Sequence, residues 1–188
     1  KLTILIMVPS IIQYLSPYFN EIKAEQVRYS CFAGGKLHND LATEWNKSIP
    51  NAQIINYYGP TETTIYCGGY LFRKNNINKH KNNVLSIGKP FNNTTYIVVD
   101  ENNIELPEYE TGELAIAKKQ LFPGYWKNEE KNKTVFFTKN IKEEKVVFYR
   151  TGDLCFKDKE GDFMYVGRSD FQVKIRGYRI ELGEIEYY

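Results

Sequence analysis

The feature that most narrows the fold is a short apolar run that ends abruptly in a loop full of chemistry. Gln53-Ile54-Ile55 leads into Asn56-Tyr57-Tyr58-Gly59-Pro60-Thr61-Glu62-Thr63-Thr64-Ile65-Tyr66. The run reads as a short buried strand over 53–56. Gly59-Pro60 should break it, because Gly admits unusual backbone angles and Pro removes a donor. Open α/β sheets build ligand sites by delivering functional groups off strand ends into a crevice. In such a crevice Tyr58 offers a flat face for a base and Thr61 a hydroxyl for a phosphate oxygen. Glu62 offers a carboxylate for a hard cation such as Mg²⁺. Composition alone favours a plainer reading, a polar surface loop, since Gly, Pro and Thr are common in loops.

The residues upstream of that loop alternate between strand and helix patterns. Strands are expected over 2–8 and 27–33, the second ending at Gly34-Gly35, with a short helix from residue 10 to 15. A second helix is expected over 39–47, where Leu41 and Trp45, four apart, share a face. Such alternation predicts a parallel sheet with crossover helices. Residues 73–83 are almost devoid of apolar side chains and read as an exposed loop. Beyond Gly88 the pattern is β-rich: strands over 94–100, 112–117, 146–149, 154–157 and 163–166. Turns are expected at 101–103, 122–125 and 159–162, and a short helix over 128–135. Closely spaced short strands predict a small barrel or curled sheet. A strand over 171–176 and the start of a helix over 181–188 follow.

Composition bounds what such a chain does. Its 188 residues suffice for one sizeable core or a core with a small appendage, and 42% hydrophobic and 15% aromatic residues argue for a folded protein. A net charge of +2 points to neither nucleic acid nor membrane as partner. No apolar run reaches transmembrane length, and residues 1–8 read as a strand rather than a leader. Cys31, Cys67 and Cys155 are odd in number, far apart and without zinc spacing, so buried thiols in a reducing cytoplasm are expected.

Two later segments change the weight of the first loop. Residues 149–154 are Tyr-Arg-Thr-Gly-Asp-Leu. Residues 165–186 are Tyr-Val-Gly-Arg-Ser-Asp-Phe-Gln-Val-Lys-Ile-Arg-Gly-Tyr-Arg-Ile-Glu-Leu-Gly-Glu-Ile-Glu. With the loop at 56–66, and in this order, they closely resemble the adenylation domains of nonribosomal peptide synthetases and the D-alanine–carrier protein ligases. Acyl-CoA synthetases and firefly luciferase belong to the wider superfamily. The resemblance runs from about Ile4 to the last residue, and three ordered segments are far more specific than one short motif.

The resemblance implies an α/β fold in three parts. Residues 1–86 would close a parallel α/β nucleotide-binding subdomain, 87–168 would form a β-rich barrel-like subdomain, and 169–188 would hold a hinge and the beginning of a small α+β C-terminal subdomain. The family's phosphate-binding loop would lie upstream of Lys1 and its catalytic lysine downstream of Tyr188. The chain is therefore expected to be a fragment of a longer enzyme, inactive when isolated. The implied reaction joins a carboxylate to the α-phosphorus of ATP, with Mg²⁺, and then makes a thioester on the phosphopantetheine arm of a carrier protein. An acyl-CoA synthetase or aryl-acid ligase stays open as an alternative, as does a nucleotide-binding or structural module without chemistry.

Residue by residue, the resemblance implies that Tyr58 stacks on adenine with Gly34 and Gly35 opposite, and that Asn56 bonds the adenine amino group. Thr61 would touch the α-phosphate and Glu62 would hold Mg²⁺. Asp153 would accept from both ribose hydroxyls, Tyr165 would pack near the nucleotide and Arg168 would reach ribose or phosphates. Asp170 matches the hinge, and Lys174 and Arg176 are the charged members of the loop that swings in, Lys174 with a catalytic part. Ile6, Cys31, Ala33, Tyr57, Ile65 and Tyr66 would line the acid pocket, the two tyrosines shortening it in favour of a small amino acid. Plainer readings stand beside these: a Thr-Gly-Asp turn between strands for Asp153, a surface ion pair for Arg168, a core ring for Tyr165, and solvated strand faces for Lys174 and Arg176.

Overall fold

The computed structural model describes residues 2–74, 77–119, 121–170, 172–175 and 178–181. The chain opens with β1 (Ile4–Met7), α1 (Pro9–Leu15), β2 (Tyr29–Phe32), α2 (Asn39–Ser48) and β3 (Gln53–Tyr58). Pro9 starts α1, where its fixed φ and missing N–H suit the first helical position. In α2, Asp40 in the first turn and Lys47 in the last oppose the helix dipole. The helix buries Ala42, Trp45 and Ser48, and the Trp45 indole donates to Ser30 Oγ at 3.0 Å.

The strands β1, β2 and β3 pair in parallel, as the alternation predicts. Two antiparallel strands, β4 (Gly68–Leu71) and, after the short β5 (His80–Lys81) and β6 (Val84–Leu85), β7 (Lys89–Pro90), complete a five-stranded sheet. Strand β3 runs two residues further than expected, so Tyr57 and Tyr58 are strand residues. Gly59 then turns the chain tightly: a Cβ there would lie 1.9 Å from the Ile65 carbonyl oxygen.

One face of this sheet carries the helices over a core that includes Ile12, Phe32, Leu37, Trp45 and Ile54. The other face is open. Register sets Ile6 beside Cys31, Cys31 beside Ile55 and Ile55 beside Leu71. On it Ile4, Ile6 and Leu71 are 49%, 68% and 53% exposed.

The second sheet is antiparallel. Its strands are β8 (Thr94–Val99), β9 (Gly112–Lys118), β10 (Phe136–Ile141), β11 (Glu144–Lys157) and β12 (Phe163–Arg168), with α3 (Glu129–Val135) before β10. The order is β10-β11-β9-β8, and β12 pairs with the last third of β11. Asn128 caps α3, its side chain accepting from Lys131 N at 3.0 Å. A two-stranded ribbon, β13 (Gln172–Ile175) and β14 (Tyr178–Glu181), forms its own small sheet. Glu181 is a strand residue in that ribbon, and the rest of the helix expected over 181–188 lies outside the described residues.

Two expectations are corrected. Residues 151–153 are not a turn between strands. They form a bulge inside the single 14-residue strand β11, where pairing with β9 slips between Arg150 and Leu154. Thr151 Oγ1 donates to Leu114 O at 2.8 Å and Gly152 N to Glu113 Oε1 at 2.7 Å, so the partner strand satisfies the extra residues. Residues 73–83 are not simply an exposed loop either. Asn78 is buried, Lys79 is mostly covered, and His80–Lys81 pairs with Val84–Leu85 as a hairpin.

Candidate functional site

A cleft of about 830 Å³ opens where the C-terminal ends of β1, β2 and β3 meet β11 and β12. The crevice beyond the carboxyl ends of parallel strands is where α/β sheets present ligand sites. Seven residues singled out in the sequence line it together: Gly34, Gly35, Asn56, Tyr58, Asp153, Tyr165 and Arg168. Tyr57 lines it too.

The polar groups of the cleft hold one another. Asn56 is buried, and its amide nitrogen donates to Ser86 O at 2.9 Å. That bond turns the side-chain oxygen into the group left to accept from a donor such as an amino group. The Tyr58 hydroxyl donates to Asp153 Oδ2, and Arg168 Nη1 donates to Asp153 Oδ1 at 2.9 Å. Both carboxylate oxygens are thus engaged, but a carboxylate has about four acceptor positions, which leaves capacity for hydroxyl donors.

The bulge is what presents Asp153, whose own N–H bonds Thr151 Oγ1 at 3.1 Å. Burial, and then the charge of Asp153, push the Tyr58 phenol well above its ordinary pKa; the same two causes raise Tyr165. Both rings therefore stay neutral at physiological pH.

Arg168 reaches beyond the cleft. Its Nε and Nη2 grip Asp170 at 2.9 Å and 2.5 Å. Burial works to lower the guanidinium pKa, and the bonds to Asp170 and Asp153 outweigh it and raise it. Asp170, exposed, also accepts from Gln172 N at 3.1 Å at the foot of the β13–β14 ribbon. Lys174 lies on β13 opposite Arg179; Arg176 is outside the described residues.

Other expected residues stand outside the cleft lining. Thr61 is exposed at the start of the helical turn Thr61–Thr63. Glu62 is 5% exposed, and its Oε1 accepts from the Tyr125 hydroxyl at 2.7 Å. Of the six residues expected for an acid pocket, Tyr57 lines the cleft and the other five do not. Several cluster on and beside the open face of the first sheet. Ile6 neighbours Cys31, the Tyr57 hydroxyl bonds the Cys31 thiol, and Tyr57 stacks on Tyr66 with centroids 4.9 Å apart. Burial raises the Cys31 thiol against the lowering effect of that bond. Ala33 follows β2, and Ile65 is 62% exposed with φ 67°.

Sequence reasoning missed three participants. Lys36 lies over the Tyr165 ring, 5.3 Å from its centroid, and lines the cleft; its place directly after Gly34-Gly35 was the available signal. Ser86 orients Asn56, and Tyr125 holds Glu62, each from a segment far away in sequence and without a local signature.

The three cysteines are buried thiols. Among the described residues no helix is long and apolar enough to cross a membrane.

Comparison with known proteins bears on the same site. The chain is 35% identical over 176 residues to the D-alanine–D-alanyl carrier protein ligase of Lacticaseibacillus casei (strain BL23), covering 94% of this chain and 34% of the ligase. It is 38% identical over 188 residues to tyrocidine synthase 3 of Brevibacillus parabrevis, covering 99% of this chain and 3% of the synthase. The chain therefore spans about a third of the length of the ligases it matches. Among solved structures it is similar to the Vibrio cholerae adenylation domain AlmE in complex with glycyl-adenosine-5'-phosphate. The TM-score there is 0.84 at 32% identity, over 98% of this chain and 35% of that one. The profile of the AMP-binding enzymes matches residues 1–126, two thirds of the sequence and the whole parallel sheet, and with it this chain belongs to the AMP-binding enzyme family.

Proposed function

We propose that this chain is the nucleotide-binding part of an ATP-dependent amino-acid adenylating ligase. In the reaction a carboxylate oxygen of the acid attacks the α-phosphorus of ATP. The bond to the β-phosphate breaks, pyrophosphate leaves and an acyl-adenylate forms. The thiol of a carrier protein's phosphopantetheine then attacks the acyl carbon and AMP departs. The observation that carries the reading is the convergence of seven nucleotide-binding candidates on one cleft. The names of the relatives, D-alanine–carrier protein ligase and a peptide synthase, support an amino acid over a fatty or aryl acid.

In this reading adenine lies between the Tyr58 ring and the bare backbone of Gly34-Gly35, with its amino group on Asn56. Asp153 takes the ribose hydroxyls, and Arg168 and Tyr165 flank the sugar and phosphates. Thr61 meets the α-phosphate. No protein nucleophile is required: catalysis is positioning and stabilisation of charge at phosphorus.

The residues fit a Mg²⁺ ion in number and kind. Mg²⁺ takes one or two carboxylates beside phosphate oxygens and water, and Glu62 supplies one. Glu62, whose Oε1 accepts from the Tyr125 hydroxyl, would hold the ion, which would supply positive charge against that of the phosphates. Lys174 would add positive charge from β13. Ile6, Cys31, Ala33, Tyr57, Ile65 and Tyr66 would form one side of the acid site, where the stacked tyrosines leave room for a small side chain.

Calorimetric titration of the chain with AMP, ATP and GTP tests the nucleotide site. Binding of AMP and ATP, with GTP weaker because adenine offers Asn56 Oδ1 a 6-amino donor where guanine carries a carbonyl oxygen, is expected. Equal affinity for all three, or none, overturns the assignment. In the complete enzyme, pyrophosphate exchange driven by glycine or alanine, and not by acetate or benzoate, separates the amino-acid reading from the acyl-CoA and aryl-acid alternatives.

A further inference from the structure

The turn between β11 and β12 carries carboxylates on alternate residues: Asp158, Glu160 and Asp162. One oxygen from each lies within 4.8 Å of the others. The turn aims them itself, since Asp158 Oδ1 accepts the N–H of both Glu160 and Asp162 at 2.9 Å. Three negative groups so close repel one another unless a cation stands among them, and gathered oxygens of this kind suit a hard divalent ion.

Here the middle is filled by the chain itself. Lys79 Nζ lies 2.6 Å from Asp158 Oδ2, 2.5 Å from Glu160 Oε2 and 2.6 Å from Asp162 Oδ2. The lysine side chain is 15% exposed, and those of Asp158 and Asp162 are 12% and 10% exposed.

The backbone of Lys79 belongs to the other half of the molecule. Its N–H donates to the Tyr70 hydroxyl on β4 at 2.9 Å, and its carbonyl accepts from Ser86 N at 2.9 Å. Ser86 is the residue that orients Asn56, and Val84, Leu85 and Ile87 beside it line the cleft.

We propose that the 158–162 turn is a divalent-cation cradle that this chain fills with its own Lys79 ammonium, so that Lys79 latches the second sheet to the segment that forms one wall of the cleft. The latch is independent of what the cleft binds. It makes two demands: the native chain is indifferent to divalent ions, and removing the ammonium leaves a vacancy that an ion can take.

Melting followed by circular dichroism tests both. The native chain should melt at the same temperature in EDTA and in millimolar Ca²⁺. Lys79→Ala should melt roughly 5–10 °C lower in EDTA, and Ca²⁺ should recover at least half of that loss where NaCl of equal ionic strength does not. Folding of the variant only in Ca²⁺ would support the cradle equally. An unchanged melting temperature in the variant, or a loss that Ca²⁺ leaves untouched, overturns the proposal. So does a native chain that Ca²⁺ stabilises as much as the variant.

A measurement on the native chain needs no variant to fold. On brief treatment with an N-hydroxysuccinimide acetate, Lys79 should react at least about tenfold more slowly than Lys47, whose side chain is 68% exposed. Comparable rates would show that the ammonium is not held.

Discussion

Asp153 and Arg168 stand directly opposite each other on the antiparallel strands β11 and β12, and a 2.9 Å hydrogen bond closes the pair across the cleft mouth. Because the same guanidinium holds Asp170, a group that would meet ribose is wired to the foot of the β13–β14 ribbon.

Removing the carboxylate should therefore weaken the nucleotide and not the acid. A hydrogen bond to a charged acceptor contributes about 1.5–3 kcal/mol, so Asp153→Ala should raise the Kd for AMP roughly 10- to 100-fold. In the complete enzyme the KM for ATP should rise while that for the amino acid stays near its native value. A rise confined to the acid would contradict the role given to Asp153.

Asp170 lies between β12 and the ribbon, where a rotation of the ribbon would need a change in backbone angles. Asp170→Pro would hold φ near −65°. In the complete enzyme this variant should keep most of its pyrophosphate exchange and lose most of its transfer to the carrier thiol. Equal losses in both half-reactions, measured on one preparation, would remove the hinge role.

Gly152 occupies the bulge with φ +73°, and a Cβ there would meet Arg168 Nη2 at 2.6 Å and Asp170 Oδ2 at 2.9 Å. Gly152→Ala should cost about 1–2 kcal/mol from the backbone alone. It should also push Arg168 off Asp153, so the urea midpoint and AMP affinity should fall together. A variant with native affinity would show that the arginine does not support the site.

The latch sets a pH window. Burial works to raise the Asp158 pKa, but the bond to Lys79 and the N–H groups of Asp162 and Glu160 together outweigh it and hold the carboxyl below its ordinary 3.8; Lys79 likewise lowers Glu160 from 4.5. A folded-state pKa below the unfolded one contributes stability that is present above the unfolded value and lost as pH falls through the folded value. Lys79 is raised above 10.5 by its carboxylate bonds against the effect of burial, so its share persists below pH 10.5 and is lost only at strongly alkaline pH. Stability from the cage should therefore be flat between about pH 5 and 10 and decline below about pH 4. Lys79→Met should flatten that acid limb in urea titrations at pH 5 and pH 3.

Much of this arrangement was legible in the sequence where the signal was local. The spacing of Leu41 and Trp45 marked α2, and short helices expected from residues 10 and 128 fall within one residue of the starts of α1 and α3. Strand β4 was missed because Gly68 and Gly69 argue against a strand in isolation. Their lack of side chains makes sense only beside Tyr96 and Tyr57, whose atoms a Cβ would meet at 2.4 Å and 2.9 Å. Thr-Gly-Asp has the local look of a turn, and only its partner strand β9 turns it into a bulge. The polar stretch around Lys79 looked solvated because its three counter-charges lie some eighty positions downstream. Glu62 shows the same limit, since Tyr125 comes to it from 63 residues away.

The open face of the first sheet has a practical consequence for anyone handling the chain. Ile4, Ile6 and Leu71 present fatty surface while the strands that carry them stay hydrogen-bonded to β2 and β3. An environment-sensitive dye such as anilinonaphthalene sulfonate should fluoresce on the native fold at room temperature, before any melting. Dye-based thermal scans would then start from a bright baseline, and a bright sample would be no sign of a damaged one.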